Sequence, residues 1–247
     1  MHAVAIIQAR MGSTRLPGKV LELVEGRTVL GHTIARARAI RGLDEVVVAT
    51  TSLDQDDAVV SESERHGVRS WRGSEDDVLA RYLGAARDSR ADVIMRITSD
   101  CPLLDPEPSS GVLSALLSAI AAGDAVDYAS NSLLRRNPRG VDTEAFTRAA
   151  LERTAELATT VREREHVTLY MYEHPEAFRL LSVPGAHDHS HHRWTVDTPE
   201  DLRLVREVYA RLAPKHGLLF GMQPVLELLE REPWITRINQ PVEQKKA

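Results

Sequence analysis

The stretch Ala3-Val-Ala-Ile-Ile-Gln-Ala9, followed by Arg10-Met-Gly-Ser-Thr-Arg-Leu-Pro-Gly-Lys19, decides the fold. Its first seven residues are almost wholly apolar and too few for a typical helix. They read as a strand buried on both faces. The next ten hold three permanent cations, two glycines and two hydroxyls. Such a loop, directly after a first buried strand, fits a parallel sheet that binds ligands beyond the carboxyl ends of its strands.

Working outward, helix and strand signals alternate. Val29–Ile40 has helical periodicity, and Glu45–Thr50 is a β-branched run. Asp54–His66 reads as a polar helix, Val68–Trp71 as a short strand and Asp76–Asp88 as an amphipathic helix. Asp92–Thr98 is another strand, and Pro106–Ala122 a helix with Asp105 as N-cap and Pro106 at its first position. This order predicts right-handed βαβ units, an α/β class and a mostly parallel sheet covered on both faces. The second half is less regular. Val126–Ala129, Phe178–Val183 and His192–Val196 are strand candidates. Asn131–Gly140 reads as a basic loop, and Thr143–Leu157 and Glu163–Glu173 as helices. Thr198–Leu212 is a helix capped by Thr198 and started by Pro199, and a last helix lies near Met222–Glu230. The expected organisation is one domain over residues 1–247, with a C-terminal helical segment and tail from about 213 and a polar end, Gln240–Ala247.

Composition narrows the function. The chain has 31 Lys and Arg against 36 Asp and Glu, a net charge of −5. That argues against a general nucleic-acid binder but leaves room for a local anion site. Of the basic residues 27 are Arg, whose planar fork suits phosphate; a GC-rich genome explains the same bias, so only positions carry weight. A single cysteine, Cys101, excludes a disulfide framework within the chain. No apolar run approaches the roughly 20 residues of a membrane span, and the N-terminus lacks the pattern of a signal peptide. A cytoplasmic location with no membrane partner is therefore expected.

The loop after the first strand can surround a polyphosphate with Arg10, Arg15 and Lys19, while Ser13 and backbone N–H groups donate and Gly12 and Gly18 permit close approach. The spacing is neither GxxxxGK[ST] nor GxGxxG, so it is not a Walker loop and a dinucleotide loses its main support. Asp100 follows the strand Asp92–Thr98, and Asp197 follows the expected strand His192–Val196. If those strands are neighbours, the two carboxylates can share a hard cation such as Mg²⁺. The ordinary alternatives are a turn at Asp100 before Pro102 and helix capping at Asp197. Capping better explains Asp105 and Asp201.

The segments RMGSTRLPGK (10–19), TSDCPLLDP (98–106), GVDTEAF (140–146), EREHVT (163–168) and RWTVDTPEDL (193–202) occur in an order that resembles the cytidylyltransferases that make CMP-activated sugars. The chain looks most like the spore coat polysaccharide biosynthesis protein F family, which is similar to the CMP-KDO and CMP-acylneuraminate synthetases. The likeness runs from Val4 to the INQPVEQKK tail. It implies a three-layer, Rossmann-like nucleotide-diphosphosugar transferase fold, and Mg²⁺-dependent transfer of CMP from CTP to a sugar-type acceptor with release of pyrophosphate. It implies that Arg10, Arg15, Lys19 and Asp100 are catalytic, and that Asp100 and Asp197 hold the metal. Gly12 and Ser13 belong to the nucleotide loop; Arg72, Gly73 and Ser74 fall where relatives recognise the base. Arg139, Asp142, Glu144 and Arg164 fall on the acceptor side. Relatives also suggest a homodimer, with the Glu163–Tyr172 helix and the preceding loop as candidate interface segments.

Several alternatives stay open at this stage. The acceptor can be a sugar acid, or a phosphate or phosphonate that needs no base. A uridylyl- or guanylyltransferase or a glycosyltransferase of the same fold is a rival, as is a non-enzymatic nucleotide-binding protein. His187-Asp-His-Ser-His-His192 packs four imidazoles into six residues, but its spacing fits no structural zinc pattern, so surface histidines are expected. Cys101 beside Asp100 is read as a small, partly buried apolar residue, since direct transfer needs no covalent nucleophile.

Overall fold

The computed structural model describes residues 1–243. The last four residues of the polar tail, 244–247, lie outside the described residues. The first strand, β1 (Ala3–Gln8), lies inside a seven-stranded sheet, third from one edge. In chain order there follow a short hairpin, β2 (Leu23–Val24) and β3 (Arg27–Thr28), then α1 (Val29–Arg38), β4 (Glu45–Thr51), α2 (Asp57–Arg65), β5 (Ser70–Gly73), α3 (Val78–Asp88), β6 (Val93–Thr98) and α4 (Pro106–Ala121). The second half adds β7 (Tyr128–Ser130), β8 (Glu144–Thr147), α5 (Arg148–Leu157), α6 (Val161–Glu165), α7 (Leu169–Glu173), β9 (Leu180–Ser182), α8 (Pro199–His216) and α9 (Met222–Arg231).

The strand order is β5-β4-β1-β6-β8-β7-β9. All pairs are parallel except those of β8, which runs antiparallel to both β6 and β7. Alternation along β1 separates the two cores. Ala3, Ala5 and Ile7 face one layer, with Leu30 and Ile34 of α1 and Val112 and Leu116 of α4. Val4 and Ile6 face the other, with Leu79 and Tyr82 of α3 and Leu151 of α5. The period of two in a pleated strand therefore produces the three layers expected for this α/β class. A third apolar cluster packs α8 and α9 against Val24, Val29, Leu103 and Trp194.

Three expectations need correction. Thr143–Leu157 is not one helix: Glu144–Thr147 form β8, and Thr147 then caps α5 by accepting from Ala150 N. The pairing of β8 with strands on both sides overrides the helical propensity of this segment. Glu163–Glu173 splits into α6 and α7 at Val167, which has a φ of 48° and is fully buried. His192–Val196 is not a strand; it makes only an isolated parallel bridge, Arg139 with Arg193. The β2–β3 hairpin carried no expectation. Its turn places Glu25 and Gly26 both at positive φ, as a two-residue hairpin turn requires.

Candidate active site

β1 and β6 are parallel neighbours, and their following connections diverge, which opens a crevice at their carboxyl ends. The loop that leaves β1 is tied down from within. Ser13 N and Gly18 N both donate to Met11 O, and Gly18 takes a φ of 71° to turn the chain into the short 3₁₀ segment Lys19–Leu21. Met11 N donates to Asp56 Oδ1 at 2.6 Å, and the buried Asp56 also accepts from Thr51 Oγ1. A loop held by its own backbone can present Arg10, Arg15 and Lys19 in fixed positions.

Asp100 leaves β6 with its carbonyl engaged: Val196 N donates to it at 2.8 Å and Thr195 Oγ1 at 3.2 Å. These two bonds do the work expected of a neighbouring strand and bring Asp197 alongside Asp100. The two carboxylates converge on one point. Lys19 Nζ lies 2.7 Å from Asp100 Oδ2 and 2.7 Å from Asp197 Oδ1. Arg15 reaches Asp197 Oδ2 at 2.9 Å and Arg193 reaches the same oxygen at 2.7 Å. Burial opposes the charge of Asp197, but Lys19, Arg193 and Arg15 together hold its pKa down at about 2. Burial likewise opposes the Lys19 ammonium, and the two carboxylates more than offset it and raise its pKa.

Asp201 does more than cap α8. It is fully buried and completes a capping box with Thr198. Its Oδ2 accepts from Asp197 N and Thr198 N, and both oxygens accept from Arg193. Asn239 Nδ2, from the C-terminal segment, donates to Asp201 Oδ1 at 2.8 Å and to Arg193 O at 2.9 Å.

The crevice is a cavity of about 740 Å³. Its wall includes Arg10, Gly12, Ser13, Arg15, Lys19, Asp100, Arg139, Asp142, Glu144 and Asp197 from the expected set. Glu165 and His166 of the EREHVT segment line it as well, and so do Arg81 and Arg96, which carried no expectation. Six permanent cations and five carboxylates meet there, an excess of positive charge in a chain of net charge −5. Such a balance suits a polyanion.

Four expected site residues do not line the cavity. The Arg72 guanidinium donates to Thr51 O, Leu53 O and Asp57, and so pins β5 to the β4–α2 connection. Gly73 and Ser74 continue that edge: Gly73 O accepts from Ser52 N, and Ser74 Oγ accepts from Asp77 N. Arg164 binds Asp77 at 2.7 Å and the carbonyls of Ala155 and Ala158. Glu144 does line the cavity, but Tyr128, Thr168 and Arg96 engage both its oxygens. Asp142 opens toward the cavity and accepts from Arg135; the protein around it desolvates the carboxyl and pushes its pKa up.

Cys101 is buried, with its Sγ 3.1 Å from Thr98 Oγ1. Burial and the neighbouring Asp100 push its thiol pKa well up, the reverse of what a nucleophile needs. The four histidines of 187–192 do not join a metal-binding group among the described residues. The ring of His192 is partly buried, and its pKa falls to about 4.

Two carboxylates meeting at one point, next to a loop of cations, form a donor set that fits a hard divalent ion shared with phosphates. No helix among the described residues is long and apolar enough to cross a membrane. The chain is 32% identical to the spore coat polysaccharide biosynthesis protein SpsF of Bacillus subtilis over 92% of its length and 94% of that protein's. It is 27% identical to a 3-deoxy-manno-octulosonate cytidylyltransferase of Anaeromyxobacter dehalogenans, covering 85% of this chain and 98% of the other. A solved cytidylyltransferase from Leptospira borgpetersenii superposes with a TM-score of 0.90 at 31% identity, over the full length of both chains. The family model for cytidylyltransferases matches residues 4–230, and the chain belongs to that family of nucleotidyltransferases.

Proposed function

We propose that the protein transfers CMP from CTP to a sugar-type acceptor and releases pyrophosphate, with Mg²⁺ held by Asp100 and Asp197. One observation carries this reading: both carboxylates lie 2.7 Å from a single nitrogen, that of Lys19, at the mouth of the Arg10–Lys19 loop. Arg10, Arg15 and Lys19 would hold the triphosphate, with Ser13 and the backbone N–H groups of the loop as neutral donors. An acceptor oxygen attacks the α-phosphorus, and the bond to the departing pyrophosphate breaks on the opposite side. Charge moves onto the leaving group in this step, and the three cations stabilise it where it develops. Mg²⁺, when bound, would neutralise part of the triphosphate charge. Asp201 and Arg193 would hold Asp197 in place throughout.

The test is pyrophosphate release with CTP fixed, Mg²⁺ present or removed by chelation, and an acceptor panel of sugar acids, sugar phosphates and phosphonates. We expect turnover that requires CTP and the metal, and that falls about 10²- to 10³-fold in Asp100→Asn or Asp197→Asn. Transfer that survives both substitutions, or equal turnover of UTP and GTP, would overturn the reading.

A further inference from the structure

The loop cations Arg10, Arg15 and Lys19 line the cavity, and Arg96 of β6 lines it as a further cation outside that loop. Along β6, Ile94 belongs to the apolar core on one face of the sheet, while Arg96 and Thr98 line the cavity. Ile94, Arg96 and Thr98 share a face, since side chains alternate along a strand. That face therefore passes from core to cavity at Arg96. A guanidinium at such a boundary loses much of its hydration, and its side chain is only 17% exposed.

Glu144 lies opposite Arg96 in the antiparallel β6–β8 register, and its Oε2 accepts from Arg96 Nη1. Its Oε1 accepts from Tyr128 Oη and Thr168 Oγ1, both at 2.6 Å. Burial opposes the Glu144 charge, but Arg96 and the two hydroxyls hold its pKa below the usual carboxylate range. The carboxylate is thus saturated by partners of its own chain and has little left for a ligand. Arg96 is in the opposite state. A guanidinium has five donor hydrogens, and among the described residues Glu144 is its only hydrogen-bond partner. Its Nε is buried with no acceptor. Unspent donors on a desolvated cation are costly unless an acceptor arrives. Arg164, which the resemblance places on the acceptor side, differs in this respect, because Asp77 and two carbonyls already engage it.

We propose that Arg96, oriented by Glu144 as a positioning residue, is the group that binds the oxyanion of the acceptor, a carboxylate or a phosphate. This rests on the cytidylyl transfer proposed above and specifies its second substrate. Glu165, His166, Asp142 and Arg139 also line the cavity. Of these Arg139 adds a second cation, and the two acids disfavour an anion anywhere but at the arginines. A planar fork suits either oxyanion, so the structure names the charge and the experiment separates its sources.

The experiment measures binding to the full chain by calorimetry, with CTP in one series and acceptor probes in another. The probes are 3-deoxy-manno-octulosonate for a carboxylate, mannose 6-phosphate for a phosphate, and mannose as the neutral control. We expect at least one anionic probe to bind the wild type more tightly than mannose. Arg96→Met and Arg96→Lys should weaken that probe about tenfold or more, with CTP affinity changed less than twofold. Arg96→Met strands the Glu144 charge, so the double variant Arg96→Met/Glu144→Gln keeps the test readable if the single one does not fold. A carboxylate-only or phosphate-only response identifies the source. The proposal falls if neither anion outcompetes mannose, or if the variants leave anion binding unchanged. Absence of CTP binding would instead overturn the cytidylyl transfer itself.

Discussion

Replacing Lys19 by Met should move stability, metal affinity and activity in different directions. The ammonium lies 2.7 Å from Asp100 and 2.7 Å from Asp197, and its side chain is 11% exposed. Removing one member of a buried ion pair costs about 3–5 kcal/mol when the remaining charge is orphaned. Here Asp197 keeps Arg15 and Arg193, while Asp100 has no other ion pair among the described residues. The loss should therefore sit below that range, at about 2 kcal/mol, or roughly 4–8 °C in Tm for a chain of this size. The carboxylates, freed of their internal cation, should take up a divalent ion more readily. Millimolar Mg²⁺ should raise the Tm of Lys19→Met by several degrees and that of the wild type by less. Pyrophosphate release should nevertheless drop about 10²- to 10³-fold, because the leaving group has lost a cation. Differential scanning fluorimetry with and without Mg²⁺, beside a pyrophosphate assay, reads all three. If Mg²⁺ stabilises wild type and variant equally, Lys19 and the metal do not compete for these carboxylates. That result would refute the reasoning.

Three further perturbations probe what surrounds this cluster. Asp197 has a pKa of about 2 against an ordinary 3.8, so its ionisation contributes about 2 kcal/mol to stability. That contribution is fully present above pH 4 and is lost as the pH falls through 2, so Asp197→Asn should flatten the acid limb of an unfolding titration in that window. Asp201→Asn places an amide where both carboxylate oxygens face donors and should cost about 3–5 kcal/mol in urea unfolding; a stability equal to wild type would remove Asp201 from its role as anchor. Gly140→Ala should destabilise by about 2 kcal/mol or more, since φ is 100° and a Cβ would meet the Trp194–Thr195 peptide at 2.7–2.8 Å; the check is a lowered urea midpoint at unchanged slope.

The first half of the fold was legible because its signals are local. β1, β4 and β6 are apolar runs, and α4 and α8 begin with a capping residue followed by proline. What failed was set by distant partners. β8 has a helix-like composition and becomes a strand only because β6 and β7 flank it. The site divides in the same way. Arg10, Arg15, Lys19, Asp100 and Asp197 stand where chain and strand ends put them, and the geometry brings them together. Arg72 and Arg164 have side chains long enough to turn away, and local carbonyls and carboxylates claim them. Arg96 did leave a signal: a charge inside the apolar run DVIMRIT is expensive, and a strand interior rarely carries one unpaired.

The failed strand at His192–Val196 also explains how Asp197 is positioned. A strand would have fixed the segment through a ladder on both sides. The chain instead uses a few directed bonds: Val196 N to Asp100 O, Trp194 N to Arg139 O, and the Asp201 carboxylate to Asp197 N. The first two tie the Asp197 segment to elements that also line the cavity, the Asp100 turn and the Arg139–Gly140 loop, and the third ties Asp197 to the start of α8. Asn239 closes the arrangement from the far end of the described chain by bonding both Arg193 O and Asp201. The helix cap and the anchor of the candidate metal ligand are therefore the same carboxylate. A residue that sequence alone assigns to capping is thereby placed one hydrogen bond from the site.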